Sequence, residues 1–171
     1  RFLEKPEADE LAKLKINTIN AGIYVLEPQV LDLIPKDTNH SFEYDVFPEI
    51  LNRKLPFFGK VMSDEYWLDI GTPTSYLNAH HDFLNGKIKG FDIPKTDLSD
   101  VATHAKIDKV SVIGENCTIK PGAKIVNSVI GAGVHVEEKA VIENSVIWSH
   151  TRVSSGAEIR GAVIARSCHI G

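Results

Sequence analysis

The run VIGENCTIKPGAKIVNS (Val112–Ser128) is followed without a break by VIGAGVHVEEKAVIENS (Val129–Ser145), then by VIWSHTRVSSGAEIRGA (Val146–Ala162) and VIARSCHIG (Val163–Gly171). The period is 17 residues. Within it, aliphatic residues recur at steps of 6, 6 and 5: Ile113, Ile119, Ile125, then Ile130, Val136, Ile142, then Ile147, Val153, Ile159, then Ile164 and Ile170. A helix repeats its apolar face every three or four residues and a half-buried strand every second residue, so neither period fits. A step of six, with one large and one small inward residue and a turn at its end, describes one side of a triangular coil. Three sides make one rung, and rungs stack through backbone hydrogen bonds at strand spacing. The small inward column is expected four residues after each large one: Cys117, Ala123, Val129, Val134, Ala140, Val146, Thr151, Ala157, Val163 and Cys168. Val101, Ala105, Ile107 and Ser111 extend the pattern by a partial rung toward the N-terminus.

Two consequences concern reactive side chains. Cys117 and Cys168 fall three periods apart in the small column, which makes them core thiols; two cysteines form neither a disulfide framework nor a zinc pattern. His135 and His169 share an outward column with Thr118 and Arg152 and read as a solvated face.

The chain of 171 residues is 43% hydrophobic and 25% charged with a formal charge of −4, the balance of a soluble globular protein. No cluster of Lys and Arg interleaved with aromatics points to nucleic acid or an anionic membrane. No apolar run reaches the roughly 20 residues that span a bilayer, and no signal peptide opens the chain, so the expected location is the cytoplasm. The opening on Arg1 and the stop on CHIG, partway through a repeat, suggest a piece of a longer protein.

Residues 1–90 follow mixed α and β rules, 91–100 read as a linker, and 101–171 as the coil. Ile19–Leu26 is β-branched and aromatic and predicts a buried strand. Pro28 suits the first turn of a short helix, and Ser41 suits an N-cap for FEYDVFPEIL, with Pro48 kinking that helix or confining it to a few turns. Leu55–Met62 and Tyr66–Ile70 predict a hairpin around Ser63 and Asp64. Thr72 as N-cap, Pro73 at the first helical position and Gly86 as stop predict a helix between them.

Three motifs in this first part, FLEKP (Phe2–Pro6), NAGIYVLEP (Asn20–Pro28) and YWLDIGTP (Tyr66–Pro73), followed by hexapeptide repeats, resemble the sugar-phosphate nucleotidyltransferases, most of all their mannose-1-phosphate guanylyltransferase branch. The resemblance implies the C-terminal part of an α/β nucleotidyltransferase domain, an α+β arrangement here, followed by a left-handed parallel β-helix. It implies a reaction in which a sugar 1-phosphate attacks a nucleoside triphosphate and pyrophosphate leaves. GTP and mannose 1-phosphate are the implied pair, with thymidylyl, uridylyl or adenylyl transfer to glucose 1-phosphate as the alternative. It implies Mg²⁺ held partly by Asp69, Lys5 on the sugar phosphate, Glu4 and Asn20 on sugar hydroxyls, and Gly22 keeping the backbone clear of the hexose. The family's glycine-rich phosphate loop and second metal-binding aspartate have no match here, so these 171 residues alone are expected to be inactive. A homo-oligomer through the coil is also expected. Hexapeptide-repeat acyltransferases, with His135, His150 or His169 as base, are a rival class that leaves the three motifs unexplained; a coil serving only oligomerisation or regulation is another.

Overall fold

The computed structural model describes residues 18–171, and its contacts divide the chain into two compact units, one ending at Glu65 and one running Tyr66–Gly171. The motif residues Phe2, Glu4 and Lys5 lie outside the described residues.

From Lys106 onward the second unit is a parallel β-solenoid, consistent with the expected left-handed coil. Its twelve short strands, among the described residues, are β1 (Lys106–Ile107), β2 (Val112–Ile113), β3 (Thr118–Ile119), β4 (Lys124–Val126), β5 (Val129–Ile130), β6 (His135–Val136), β7 (Val141–Glu143), β8 (Val146–Ile147), β9 (Arg152–Val153), β10 (Glu158–Arg160), β11 (Val163–Ile164) and β12 (His169–Ile170). They form three four-stranded sheets, β1-β4-β7-β10, β2-β5-β8-β11 and β3-β6-β9-β12, one for each side of the triangle. Pairs such as Ile113↔Ile130, Ile130↔Ile147 and Ile147↔Ile164 carry the 17-residue register. The first rung is longer: Ile107 pairs with Ile125, one residue more than separates Ile125 from Ile142.

The large inward column packs as expected, with Ile113, Ile125, Val136, Ile142 and Val153 fully buried. The small column needs one correction. On the five-residue side, the inward residue is Ser128 or Ser145, three after the isoleucine, and not Val129 or Val146. A shorter side brings the corner forward by one residue, and alternation along a strand then turns the valine outward. These serines are fully buried and hydrogen-bonded between rungs. Ser128 Oγ accepts from the Ser145 N–H at 3.1 Å and donates to the Val126 carbonyl at 2.7 Å; Ser145 Oγ accepts from the Ala162 N–H at 3.1 Å and donates to the Glu143 carbonyl at 2.7 Å. Ser111 begins the column, accepting from the Ser128 N–H at 3.1 Å.

From Asn116 onward each corner contains one residue in the left-handed region, and these positions also recur with the repeat: Asn116, Gly133, His150 and Ser167; Gly122, Lys139 and Gly156; Asn127, Asn144 and Gly161. Asn is the non-glycine residue that tolerates this conformation best, which accounts for the recurring NS dipeptide. In the longer first rung the extra residue lies at the corresponding corner, where Asp108 accepts from the Ser111 N–H and from the Asn127 N–H, both at 2.8 Å. Burial pushes the Asp108 carboxyl up, but hydrogen bonds from Ser111 and Asn127 outweigh it and hold it below the ordinary value.

The cysteines and histidines lie where the repeat puts them. Cys117 is buried, with its thiol on the Gly131 carbonyl and pushed up by burial; Cys168 is half-buried, and His135 and His169 face outward.

Before the coil, the helix between Thr72 and Gly86 forms as expected. It is α2 (Pro73–Leu84), following α1 (Phe47–Asn52). Gly86 adopts φ +71°, the Lys87 N–H returns to the Asp82 carbonyl at 2.9 Å and the Gly86 N–H to Phe83 at 3.0 Å, a Schellman stop. Pro28 opens a 3₁₀ turn, Pro28–Leu33. Ser41 caps a π turn, Phe42–Val46, accepting from the Glu43 and Tyr44 N–H groups; Pro48, which has no N–H to give, then starts α1 rather than kinking a continuous α-helix.

The predicted strands do not form among the described residues. Ile19–Leu26, Leu55–Met62 and Tyr66–Ile70 are in no described strand, and Ile23, Val25, Phe58 and Ile70 are exposed. Apolar composition makes a strand only beside a neighbouring strand, and among the described residues no such ladder meets these runs. No helix among the described residues is long and apolar enough to cross a membrane.

Two variants test the coil. Ser145→Ala strands the Ala162 N–H and the Glu143 carbonyl and is expected to cost about 1–3 kcal/mol in urea denaturation. Asp108→Asn is expected to lower stability at neutral pH. Because the folded carboxyl is held below its ordinary 3.8, that deficit is full above this value and shrinks as the pH falls through the depressed folded pKa. A deficit that grows on acidification would contradict this assignment.

Candidate functional site

The described motif residues lie in two places, one in each unit. In the first unit, Asn20 and Gly22 form one tight turn. Asn20 Oδ1 accepts from the Gly22 N–H at 3.0 Å, and Gly22 adopts φ +70°, a conformation that strains any residue with a Cβ. Nothing lies within 4 Å of where a Gly22 Cβ would be, so the requirement is conformational and the turn presents an open backbone.

The Asn20 amide donates to the Tyr24 hydroxyl at 2.5 Å, and that hydroxyl donates to Glu43 at 2.9 Å. Tyr24 is held by an edge contact with Phe47 at 4.9 Å, while the Ser41 cap orients Glu43. The Asn20–Tyr24–Glu43 chain thus fixes which end of the Asn20 amide faces outward. Sequence reasoning missed Tyr24 and Glu43; the spacing of four between Asn20 and Tyr24 was the available signal. The groove beside this turn, of about 580 Å³, is lined by Ile23, Tyr24, Phe47 and Phe57 among others and is too apolar for a phosphate.

In the second unit, Asp69 lies on an exposed extended segment just before α2. Its Oδ1 accepts from the Gly71 N–H at 3.0 Å; Oδ2 accepts no hydrogen bond among the described residues. A Cβ on Gly71 would approach Oδ1 to 3.3 Å, so a side chain there would crowd the carboxylate. Thr72 and Ser75 then close a reciprocal capping box, with the Ser75 N–H on Thr72 Oγ1 and the Thr72 N–H on Ser75 Oγ, both at 3.1 Å.

The segment is also tied at its start. The Tyr66 hydroxyl donates to Asp82 at 3.0 Å, and Lys87 pairs with the other Asp82 oxygen at 2.6 Å. Slight burial and the Asp82 carboxylate raise the Tyr66 phenol, and the hydrogen bonds from Lys87 and Tyr66 hold Asp82 below the usual carboxylate range. Tyr66 and Asp82 were not singled out from the sequence, because nothing local links residues 16 apart.

Among the described residues, no group of three or more His, Cys, Asp and Glu side chains could hold a metal by itself. Asp69 offers one carboxylate of the hard-oxygen kind that Mg²⁺ takes. It fits a site in which phosphates and a further carboxylate supply the other ligands.

Comparison with known proteins divides the chain just before the coil rather than at the boundary between the two units. The sequence profile of the Nucleotidyl transferase family matches residues 1–86, and that of the EIF2B subunit epsilon LbH domain matches residues 93–171. A UTP–glucose-1-phosphate uridylyltransferase of Synechocystis is 33% identical over 156 residues, covering 75% of this chain and 39% of its own. A mannose-1-phosphate guanyltransferase of Schizosaccharomyces pombe is 38% identical over 120 residues, covering 68% and 30%. Mannose-1-phosphate guanylyltransferase 1 of Arabidopsis thaliana is 33% identical over 126 residues, covering 73% and 32%. The chain therefore spans about a third of the length of the curated relatives it matches.

The local geometry predicts that Thr72→Ala costs about 1 kcal/mol by loss of the cap, while Thr72→Ser keeps most of it. Thermal melts followed by far-ultraviolet circular dichroism would measure both, and equal losses would show that the hydroxyl is not the capping group.

Proposed function

The chain belongs to the Nucleotidyl transferase family, and we propose on that premise that it serves the transfer of a nucleotidyl group to a sugar 1-phosphate. The observation that carries the reading is the family match over residues 1–86, the same stretch that holds the Asn20–Gly22 turn and the Asp69–Gly71 turn. A sugar-phosphate oxygen attacks the α-phosphorus of a nucleoside triphosphate, the bond to the β-phosphate breaks, and pyrophosphate leaves. Such a reaction needs positioning and positive charge more than covalent chemistry.

In this reading Lys5 meets the sugar phosphate as a point charge, Glu4 and Asn20 hydrogen-bond sugar hydroxyls, and the open backbone at Gly22 lets the hexose approach. Asp69 contributes to a Mg²⁺ site shared with the phosphates, where the ion would neutralise charge developing on them. GTP and mannose 1-phosphate are the pair we favour, since two of the relatives above carry that name. The uridylyltransferase relative supports UTP and glucose 1-phosphate as the second reading. We place the reaction in the cytoplasm and expect the coil to join copies into a homo-oligomer.

Pyrophosphate release by the native protein that carries this chain, assayed with each nucleotide and each sugar 1-phosphate, separates the two pairs. There, Asp69→Asn is expected to lower kcat on the order of a hundredfold and to weaken the Mg²⁺ response, while Lys5→Met raises KM for the sugar phosphate. Unchanged Mg²⁺-dependent turnover in Asp69→Asn would remove Asp69 from the site. The 171 residues alone contain no glycine-rich phosphate loop and are expected to release none.

A further inference from the structure

Within the second unit, α2 and the outer face of the β2-β5-β8-β11 sheet border an open cleft of about 710 Å³. Trp148 is its centre. In the sheet register the positions beside Trp148 are Gly131 on one rung and Ala165 on the next, so no large neighbour in its column covers the indole, which is 45% exposed. The ring is nevertheless fixed. Its Nε1–H donates to the Tyr76 hydroxyl of α2 at 3.3 Å, and the two rings meet edge-on at 6.4 Å.

The polar groups around the cleft share one character. His80 places Nδ1 3.0 Å from the Tyr76 carbonyl, which only an N–H can satisfy, so the neutral ring keeps Nε2 as an acceptor. Ser149 adds a hydroxyl, and Arg166 adds a guanidinium that makes no ion pair among the described residues. No lining residue is acidic, in a chain whose 23 carboxylates outnumber its 19 Lys and Arg.

A fixed, half-exposed indole in a cleft shared with an imidazole and a guanidinium that makes no ion pair among the described residues suits a planar aromatic ring that carries an anion. We propose that this cleft is a second, non-catalytic nucleotide site, with the base stacked on Trp148 and the phosphate on Arg166. Stacking on an aromatic side chain tolerates any base, whereas the guanidinium fork demands the phosphate. The choice of a nucleotide among planar anions rests on the reaction proposed above; the site itself includes none of the residues assigned to that reaction.

The chain has two tryptophans, so a Trp67→Phe background leaves Trp148 as the sole indole emitter. Titration of this protein with GMP, UMP, inorganic phosphate or benzoate is the test. Saturable quenching by either nucleotide is expected by about 1 mM, a weak-site affinity, with little effect of phosphate or benzoate. Arg166→Gln should weaken it about tenfold, the loss of one charge-assisted contact, without moving the melting temperature.

Absence of saturable quenching by both nucleotides, equal quenching by benzoate, or indifference to Arg166→Gln would overturn the proposal. So would emission that changes with protein concentration alone, since a second copy would then fill the cleft. Quenching that persists in Asp69→Asn, whatever the outcome of the turnover assay, keeps this site separate from the catalytic reading.

Discussion

Each rung of the coil must match the backbone hydrogen-bonding groups of its neighbours, and this requirement constrains almost every residue from Lys106 to Gly171. The bonds run from the Gly131 N–H to the Ile147 carbonyl at 2.7 Å and from the Trp148 N–H to the Ile164 carbonyl at 2.9 Å, and so on around all three faces. A rung of different length would offset every pair beyond it, so the corners tolerate length changes only where a side chain can replace a backbone partner. Asp108 does this at the longer first rung, taking the Asn127 N–H, whose counterparts at Asn144 and Gly161 donate to carbonyls, and the Ser111 N–H, whose counterparts donate to serine hydroxyls. The stack also explains why buried polar groups recur inside an otherwise aliphatic interior. Ser111, Ser128 and Ser145 are tolerated because each hydroxyl accepts from the rung that follows.

The same stacking shapes the outer faces. Side chains in one outward column lie a strand spacing apart and interact as neighbours. On one face Glu143 pairs with Lys124 at 2.6 Å and with Arg160 at 3.0 Å, and these two cations hold its carboxyl below the usual range. The pairs are exposed and add little to stability; they mainly match charge between adjacent rungs and so discourage a slipped register. On another face Gly131 and Ala165 isolate Trp148 in its column. Gly131 has its own reason to lack a side chain: a Cβ there would fall 2.7 Å from the Ser149 backbone nitrogen. The opening beside Trp148 is therefore a by-product of close packing between rungs, and α2 borders it on one side.

The coil was readable in the sequence because it is its own alignment: the large inward column could be recognised by comparing Ile113, Ile130, Ile147 and Ile164 with one another. The serine column was misread because a conserved spacing of four was extended to a side that has only five residues, and because serine looks like a surface residue until its partners are known. The helix after Thr72 was legible because its cap, first-turn proline and stop are all local. The strands were not, since an apolar run such as Ile19–Leu26 specifies what a sheet would bury but not whether a neighbouring strand is present. At the candidate site, the turn residues Asn20, Gly22 and Asp69 could be named from local motifs. Glu43, Tyr66 and Asp82 act across loops and helices and left no sequence signature, and Tyr24 left only its spacing from Asn20.

The placement of Asp69 follows from these constraints. A carboxylate that must meet a hydrated ion cannot be buried in a strand, yet it must be held firmly enough to be a ligand. Here one oxygen is fixed by the Gly71 N–H, the chain after it is locked by the Thr72–Ser75 box, and the chain before it is tied through Tyr66 to Asp82. The segment is thus exposed but anchored on both sides of Asp69. On the proposed reaction a chain whose formal charge is −4 over these 171 residues takes part in bringing together two phosphate-bearing anions. A carboxylate adds to that repulsion unless a cation stands between it and the phosphates. On that proposal an anchored, outward-facing acid makes electrostatic sense as a metal ligand, and for that role the apolar neighbours Leu68 and Ile70 are secondary to the turns that hold it.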